Sequence, residues 1–195
     1  MKTSIAEQKK ALRVELKQRR SGISSTIKTL AGKQVAQFAS ELAIAGLKVG
    51  LYAPLPQELP TQALAAVLWQ SGSQIYLPCI QANRRLIFRL WEPGAILQTE
   101  TLGIPTPPQS SQELAIEQLD VVFMPLLGFD RKGHRLGMGG GYYDTSLAQA
   151  SDALKIGLAF DCQEVEAVPV EDHDIALDLL ITESRVLRFR QSYSE

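Results

Sequence analysis

Residues 124–144, MPLLGFDRKGHRLGMGGGYYD, interleave Gly128, Gly133, Gly137, Gly139, Gly140 and Gly141 with Arg131, Lys132 and Arg135. Glycine admits positive φ and lets a second backbone or a ligand come close. Such a run between a strand and a helix can turn several amide N–H groups, and the helix N-terminus, toward one anion. The chemistry that suits is the gripping of phosphate, with Arg131, Lys132 and Arg135 adding charge. Two known nucleotide signatures do not fit. Gly128 and Gly133 have Walker spacing, but His134-Arg135 follows in place of Lys-Ser/Thr. Gly137-x-Gly139 meets Tyr142 where the dinucleotide pattern needs its third glycine. A flexible loop is the plain alternative.

Lys9 and Arg13 are four residues apart and share one face of a helix. They can reach a polyphosphate, or form an ordinary solvated basic face. Glu58, in APLPQELPT, follows a strand candidate. A carboxylate there can hold a ligand at the carboxyl end of a sheet or cap the next helix. Residues 161–178 carry seven carboxylates and no Lys or Arg. Mg2+ takes oxygen ligands, usually one or two carboxylates plus substrate phosphates. Asp144, Asp174 and Asp178 are the candidates, and a solvated acidic surface is the alternative. His173 beside Asp174 reads as a structural polar residue, and Cys79 and Cys162 as small core or near-core residues.

The elements that must position these groups follow from periodicity. A basic helix with a narrow stripe of Ile5, Leu12 and Leu16 spans 5–20. A second helix spans 24–45, capped by Ser24 or Ser25, with Ile27, Leu30, Val35, Phe38, Leu42 and Ile44 as apolar positions. Short apolar runs at 47–53, 74–80, 120–124, 155–160 and 177–182 read as buried strands, with a helix at 61–70. The turn 81–84 makes 74–80 and 86–91 a hairpin, 92–94 is a turn, and 103–111 is a proline-rich loop. A helix opens near Tyr142, and 186–190 closes the sheet edge. Alternating strands and helices predict one α/β domain over 1–195, with 1–45 a helical N-terminal part. Its sheet is single, open, twisted and largely parallel, and ligands belong at the carboxyl ends of its strands.

Composition narrows the classes. Hydrophobic residues at 45% suffice for a full core and exclude disorder over most of the chain. A net charge of −1 gives no sign of a nucleic-acid coat or a polybasic membrane binder. Two cysteines are too few for a disulfide framework, and two histidines make a Cys/His zinc site improbable. The N-terminal segment lacks the apolar core of a signal peptide, and no run approaches about 20 apolar residues. The expected location is the cytoplasm and the expected state a monomer, with no nucleic-acid or membrane partner.

Four blocks together resemble the 5-formyltetrahydrofolate cyclo-ligase (methenyltetrahydrofolate synthetase) family: KKALRVELKQRR, LYAPLPQELPT, GFDRKGHRLGMGGGYYD and AFDCQEVEAVPVEDHDIALDLLIT. The third is the specific one, with RLG-x-G-x-GYYD after GFD. The resemblance covers nearly the whole chain. It implies a Rossmann-like three-layer sandwich and ATP- and Mg2+-dependent cyclisation of 5-formyltetrahydrofolate to 5,10-methenyltetrahydrofolate, through phosphorylation of the formyl oxygen. It implies ATP contacts from Lys9, Lys10, Arg13, Arg135, Gly137, Gly139, Gly140, Gly141, Tyr142 and Tyr143. Arg135 and Tyr142 would be catalytic. Ala53, Glu58, Met138, Tyr142 and Gln163 would hold the folate, and Asp144 and Asp174 the Mg2+. Met138 and Thr145 depart from the family pattern, which favours polar and basic residues there. Arg84, Arg85 and Arg89 can attract an acidic folate tail or serve as ordinary surface charge. The alternatives are a non-catalytic folate- or nucleotide-binding protein on the same scaffold, or an isomerase or acyl-CoA transferase on a similar sheet.

Overall fold

The computed structural model describes residues 3–100, 103–148 and 152–189. The helices α1 (Ile5–Ser21) and α2 (Ser25–Ser40) come first. A sheet of eight strands follows in the spatial order β12-β11-β10-β7-β1-β2-β3-β6. Its five central strands run parallel: β11 (Leu179–Ile181), β10 (Leu154–Leu158), β7 (Val121–Pro125), β1 (Lys48–Gly50) and β2 (Gln74–Ile80). The edges are antiparallel, with β12 (Val186–Arg188) on one side and β3 (Leu86–Leu90) then β6 (Glu113–Ala115) on the other. Arg190, the end of the predicted edge strand, lies outside the described residues.

The central strands are buried on both faces, so alternate residues feed two different cores. Val121 and Phe123 of β7 join Ile75 and Leu77 of β2 beneath α2 and α3 (Gln62–Gln70). Val122, Met124 and Tyr76 join Phe88, Phe129 and Leu147 on the other face. Helix α2 differs from its sequence reading. It ends at Ser40, and Ile27 and Leu30 are exposed. The face it buries is Ala31, Gly32, Val35, Ala36 and Ala39, whose small side chains allow close approach. A Cβ on Gly32 would lie 2.7 Å from the Pro60 carbonyl oxygen, which shows how near the segment before α3 comes.

Helix α1 is built for a different task. Ser4 and Glu7 form a reciprocal cap at its start. Its thin apolar stripe, Leu12 and Leu16, packs on Leu127, Leu136 and Val168, beside the base of the glycine loop. A Cβ on Gly128 would collide with Leu16 Cδ1, so α1 seats directly on that strand. Three further features were not legible as elements in the sequence: β6, the pair β4 (Gln98–Thr99) with β5 (Pro105–Thr106), and the pair β8 (Gly128–Phe129) with β9 (Arg135–Leu136). The last pair means that the glycine segment begins as a small hairpin. Helix α4 (Tyr142–Leu147) follows it.

Candidate active site

The strand order reverses direction between β1 and β7: β2 lies beyond β1 on one side, and β10 and β11 beyond β7 on the other. Open α/β sheets bind ligands outside the carboxyl ends of strands at such a switch point. A cavity of about 580 Å3 lies there. Tyr52, Ala53, Leu55 and Glu58 line it beyond β1, Pro78 and Ile80 at the end of β2, and Pro125 at the end of β7. Arg135 to Asp144 form another wall, and α1 brings Ala6, Lys9 and Arg13 across it.

The charged groups interlock. Lys9 Nζ donates to Glu171 Oε2 at 2.7 Å and to Asp174 Oδ2 at 2.6 Å, with its side chain only 8% exposed. Burial alone would lower the Lys9 ammonium, but the two carboxylates outweigh it and hold its pKa above 10.5. Burial likewise opposes the charge on Asp174, yet Lys9 and the Glu171 N–H bring its pKa below 3.8. Arg135 donates through both terminal nitrogens to Asp144 Oδ1 at 3.0 Å, and through Nη1 to the Ile175 carbonyl at 2.9 Å. The Ile175 N–H also donates to Asp144 Oδ1, at 3.0 Å. The residue after Asp174 is therefore fastened to Asp144. Arg13 Nε donates to the Gly137 carbonyl at 2.9 Å, tying α1 to the glycine loop.

That loop needs its glycines. Gly139 and Gly141 have φ of 106° and 70°, a region L-residues rarely adopt, and Gly141 is the N-cap of α4. Behind the loop, Asp130 is 1% exposed and accepts from the Lys132, His134 and Val168 amides and lies 2.9 Å from His134 Nδ1. This staple fixes the hairpin that carries Arg135.

In the same lining, Glu58 is 6% exposed and accepts the Leu55 N–H at 2.9 Å. Burial raises its pKa, against the Leu55 amide and the positive charge of buried Arg20. Glu58 does not cap α3, whose N-cap is Thr61. Tyr143 Oη is buried without a hydrogen-bond partner among the described residues. Burial raises its pKa, so the phenol stays a donor.

Most of the sequence candidates meet here: Lys9, Arg13, Ala53, Glu58, Arg135, Gly137, Met138, Gly139, Gly140, Gly141, Tyr142, Tyr143, Asp144 and Asp174 all line the cavity. Three do not. Lys10 is exposed on α1, one residue off the inward face. Gln163 is 1% exposed and donates to the Leu126 carbonyl while accepting the Phe160 N–H, so it holds a turn. Asp178 pairs with the Lys155 amide and ammonium. The sequence reading missed Tyr52 and Glu171 as lining residues, while Arg84, one of the three arginines it offered for an acidic tail, also lines the cavity. Glu171 was hidden in the acidic run, where only its spacing from Asp174 set it apart. With His173 and Asp174 it offers ligand atoms within 4.8 Å of one another, a group that does not include Asp144.

Known proteins share this sequence pattern and fold. Residues 5–183 match the model of the 5-formyltetrahydrofolate cyclo-ligase family. A 5-formyltetrahydrofolate cyclo-ligase of Haemophilus influenzae is 33% identical over 183 residues, covering 90% of this chain and 98% of that protein. One of Escherichia coli is 38% identical over 143 residues, covering 71% and 79%. The solved structure of the Aquifex aeolicus 5,10-methenyltetrahydrofolate synthetase superposes with a TM-score of 0.82 at 28% identity, over 96% of this chain and 95% of that one. That of a Mycoplasma pneumoniae 5,10-methenyltetrahydrofolate synthetase gives 0.73 at 25% identity, over 90% and 99%. With its four sequence blocks gathered around one cavity, this chain belongs to the 5-formyltetrahydrofolate cyclo-ligase family.

Proposed function

We propose that this cavity catalyses the ATP-dependent closure of 5-formyltetrahydrofolate to 5,10-methenyltetrahydrofolate, releasing ADP and phosphate. One observation carries the assignment of sites. A single cavity has a cationic, glycine-rich lining suited to a triphosphate and, in the same lining, a buried carboxylate suited to a pterin. A protein that merely bound folate or nucleotide would not need both in one cavity.

A formamide carbonyl is a weak electrophile and its oxygen a poor leaving group. The formyl oxygen attacks the γ-phosphorus, and the bond to ADP breaks. The neighbouring folate nitrogen, N10, then attacks the activated carbon. Phosphate leaves with the former formyl oxygen, N10 loses its proton, and the methenyl bridge remains. Positioning and charge neutralisation dominate phosphoryl transfer, and no protein nucleophile is required. Lys9, Arg13 and Arg135 supply charge, and the 137–141 amides supply donors. Glu58 holds the pterin beside Ala53, and Tyr142 stands between the two substrates.

The donor set also fits Mg2+. The cavity cations are already matched by Glu58, Asp144, Glu171 and Asp174, so they do not by themselves neutralise a triphosphate. Asp144 keeps Oδ2 without a protein donor among the described residues. Asp144 and Asp174 would hold the ion, which when bound offsets charge on the phosphates. We extend the proposal to one catalytic domain over 1–195, acting as a monomer in the cytoplasm. Cys79 and Cys162 are both free thiols, which agrees with a reducing compartment.

The site assignment is tested by splitting the kinetics. Glu58→Gln is expected to raise KM for the folate about tenfold or more while KM for ATP moves little. Asp144→Asn keeps an acceptor for Arg135 and is expected to raise the Mg2+ concentration needed for half-maximal rate about tenfold to a hundredfold. Equal effects of Glu58→Gln on both substrates, or an unchanged Mg2+ requirement in Asp144→Asn, would contradict these roles.

A further inference from the structure

Arg20, in the last turn of α1, is 3% exposed. Among the described residues its guanidinium makes no hydrogen bond and no ion pair, and its Nε is buried without a partner. The other buried cations, Lys9, Arg89 and Arg135, each pair with a carboxylate. Burying a charge costs free energy unless it is paired. Stability alone therefore does not favour a guanidinium here.

Its surroundings are the wall that carries Glu58. The short link from α1 to α2 rests on the segment 52–59. Ile23 packs on the core cluster that holds Tyr52, Ala53 and Leu59, and Lys28 Nζ donates to the Pro56 carbonyl at 2.9 Å. Burial lowers the pKa of Arg20, and the neighbour that opposes this most is Glu58, followed by the Tyr52 phenol and the Cys162 thiol. Glu58 lines the cavity and Arg20 does not, so the guanidinium lies behind the wall. Among the described residues, the donor to the Glu58 carboxylate is the Leu55 N–H. Burial raises the Glu58 pKa, with that amide and Arg20 opposing. The other titratable groups facing Glu58 are Tyr52, beyond β1, and Tyr143, on α4. Burial raises both phenols above the usual 10, so they stay neutral while Glu58 titrates. The amino and ring N–H groups of a pterin are donors and call for an ionised carboxylate.

Under the cyclo-ligase reading, on which this inference rests, we propose that Arg20 is a positioning residue that keeps Glu58 ionised for the pterin without touching the substrate. The test follows KM for the folate, KM for ATP and equilibrium binding of 5-formyltetrahydrofolate from pH 6 to pH 9. It compares the wild-type chain, Arg20→Met, Arg20→Gln, Arg20→Lys, Glu58→Gln and the double variant Arg20→Met with Glu58→Gln. Arg20→Met is expected to raise KM for the folate about threefold to tenfold at pH 6. The value should return toward wild type at pH 9, with KM for ATP little changed. Arg20→Gln, a second neutral replacement, carries the same expectation. Arg20→Lys keeps the charge and should recover most of the loss. In the Glu58→Gln background, Arg20→Met should add no pH dependence. The melting temperature of Arg20→Met should hold or rise, because an unpaired buried charge is removed. A rise in KM that is equal at every pH, or that persists in the Glu58→Gln background, overturns the inference. So does a loss of melting temperature with no pH-dependent change in folate binding. Binding separates this result from the parent reading. No wild-type turnover, with binding that weakens in acid as described, would overturn the cyclo-ligase reading and keep the role of Arg20. Normal turnover with the same pH dependence of binding in Arg20→Met and wild type would overturn the role of Arg20 alone.

Discussion

Lys9 is a lining residue of the cavity that two distant carboxylates hold in place. It is buried between Glu171 and Asp174, and Lys9 and Asp174 shift each other's titration. The Lys9 pKa is raised in the folded chain, so its contribution is complete below 10.5 and is lost as pH rises through the higher folded value. The Asp174 pKa is lowered, so its contribution is present above 3.8 and is lost as pH falls through the lower folded value. Lys9→Met leaves two carboxylates without their cation. It is expected to cost about 1–3 kcal/mol near neutrality, a penalty that shrinks in acid below the ordinary Asp174 range. Urea melts of both proteins at pH 7 and pH 3 check this. A penalty that stays constant with pH would show that the pairing does not stabilise the chain. The sequence offered Lys9 on spacing alone, where a solvated basic face is the commoner reading. The acids that settle its orientation are more than 160 residues away along the chain.

Helix α1 and the glycine loop form one functional unit. Leu16 buries fully against Leu127 and Leu136, and Gly128 leaves the space its Cδ1 needs. This contact sets the height at which Lys9 and Arg13 cross the cavity. Gly128→Ala is expected to destabilise by about 1–3 kcal/mol through overpacking, and to raise KM for ATP as α1 is pushed outward. Leu16→Ala is expected to cost about 2–5 kcal/mol by itself. In the Leu16→Ala background, Gly128→Ala should cost much less, because the colliding atoms are gone. A thermal-denaturation double-mutant cycle reads this coupling. Strict additivity would show that the two residues do not meet. Periodicity located α1, α3 and β2 closely, since long amphipathic or apolar runs encode their own element. It misjudged α2, where a face of alanine and glycine packs inward and Ile27 and Leu30 do not. Hydrophobicity ranks Ile above Ala, whereas close helix packing selects for small size.

Across the whole molecule, function follows from topology. The chain places β1 beside β7, so the segment carrying Glu58 and the loop carrying Arg135 line one cavity at the switch point. Alternation of strands and helices announced a largely parallel sheet. The strand order could not be read, because β1 pairs with β7 across more than 70 residues and short buried strands carry no partner label. The staple at Asp130 and the turn at Gln163 were equally hidden, since their hydrogen bonds depend on segments brought together only by the fold. The most direct test of the account is absorbance at the methenyl-folate band when the purified chain meets 5-formyltetrahydrofolate, Mg2+ and ATP. The band should grow only with ATP present, with one ADP formed per methenyl product, and should grow far more slowly in Asp144→Ala. No growth in the wild-type chain, or growth independent of ATP, would contradict it.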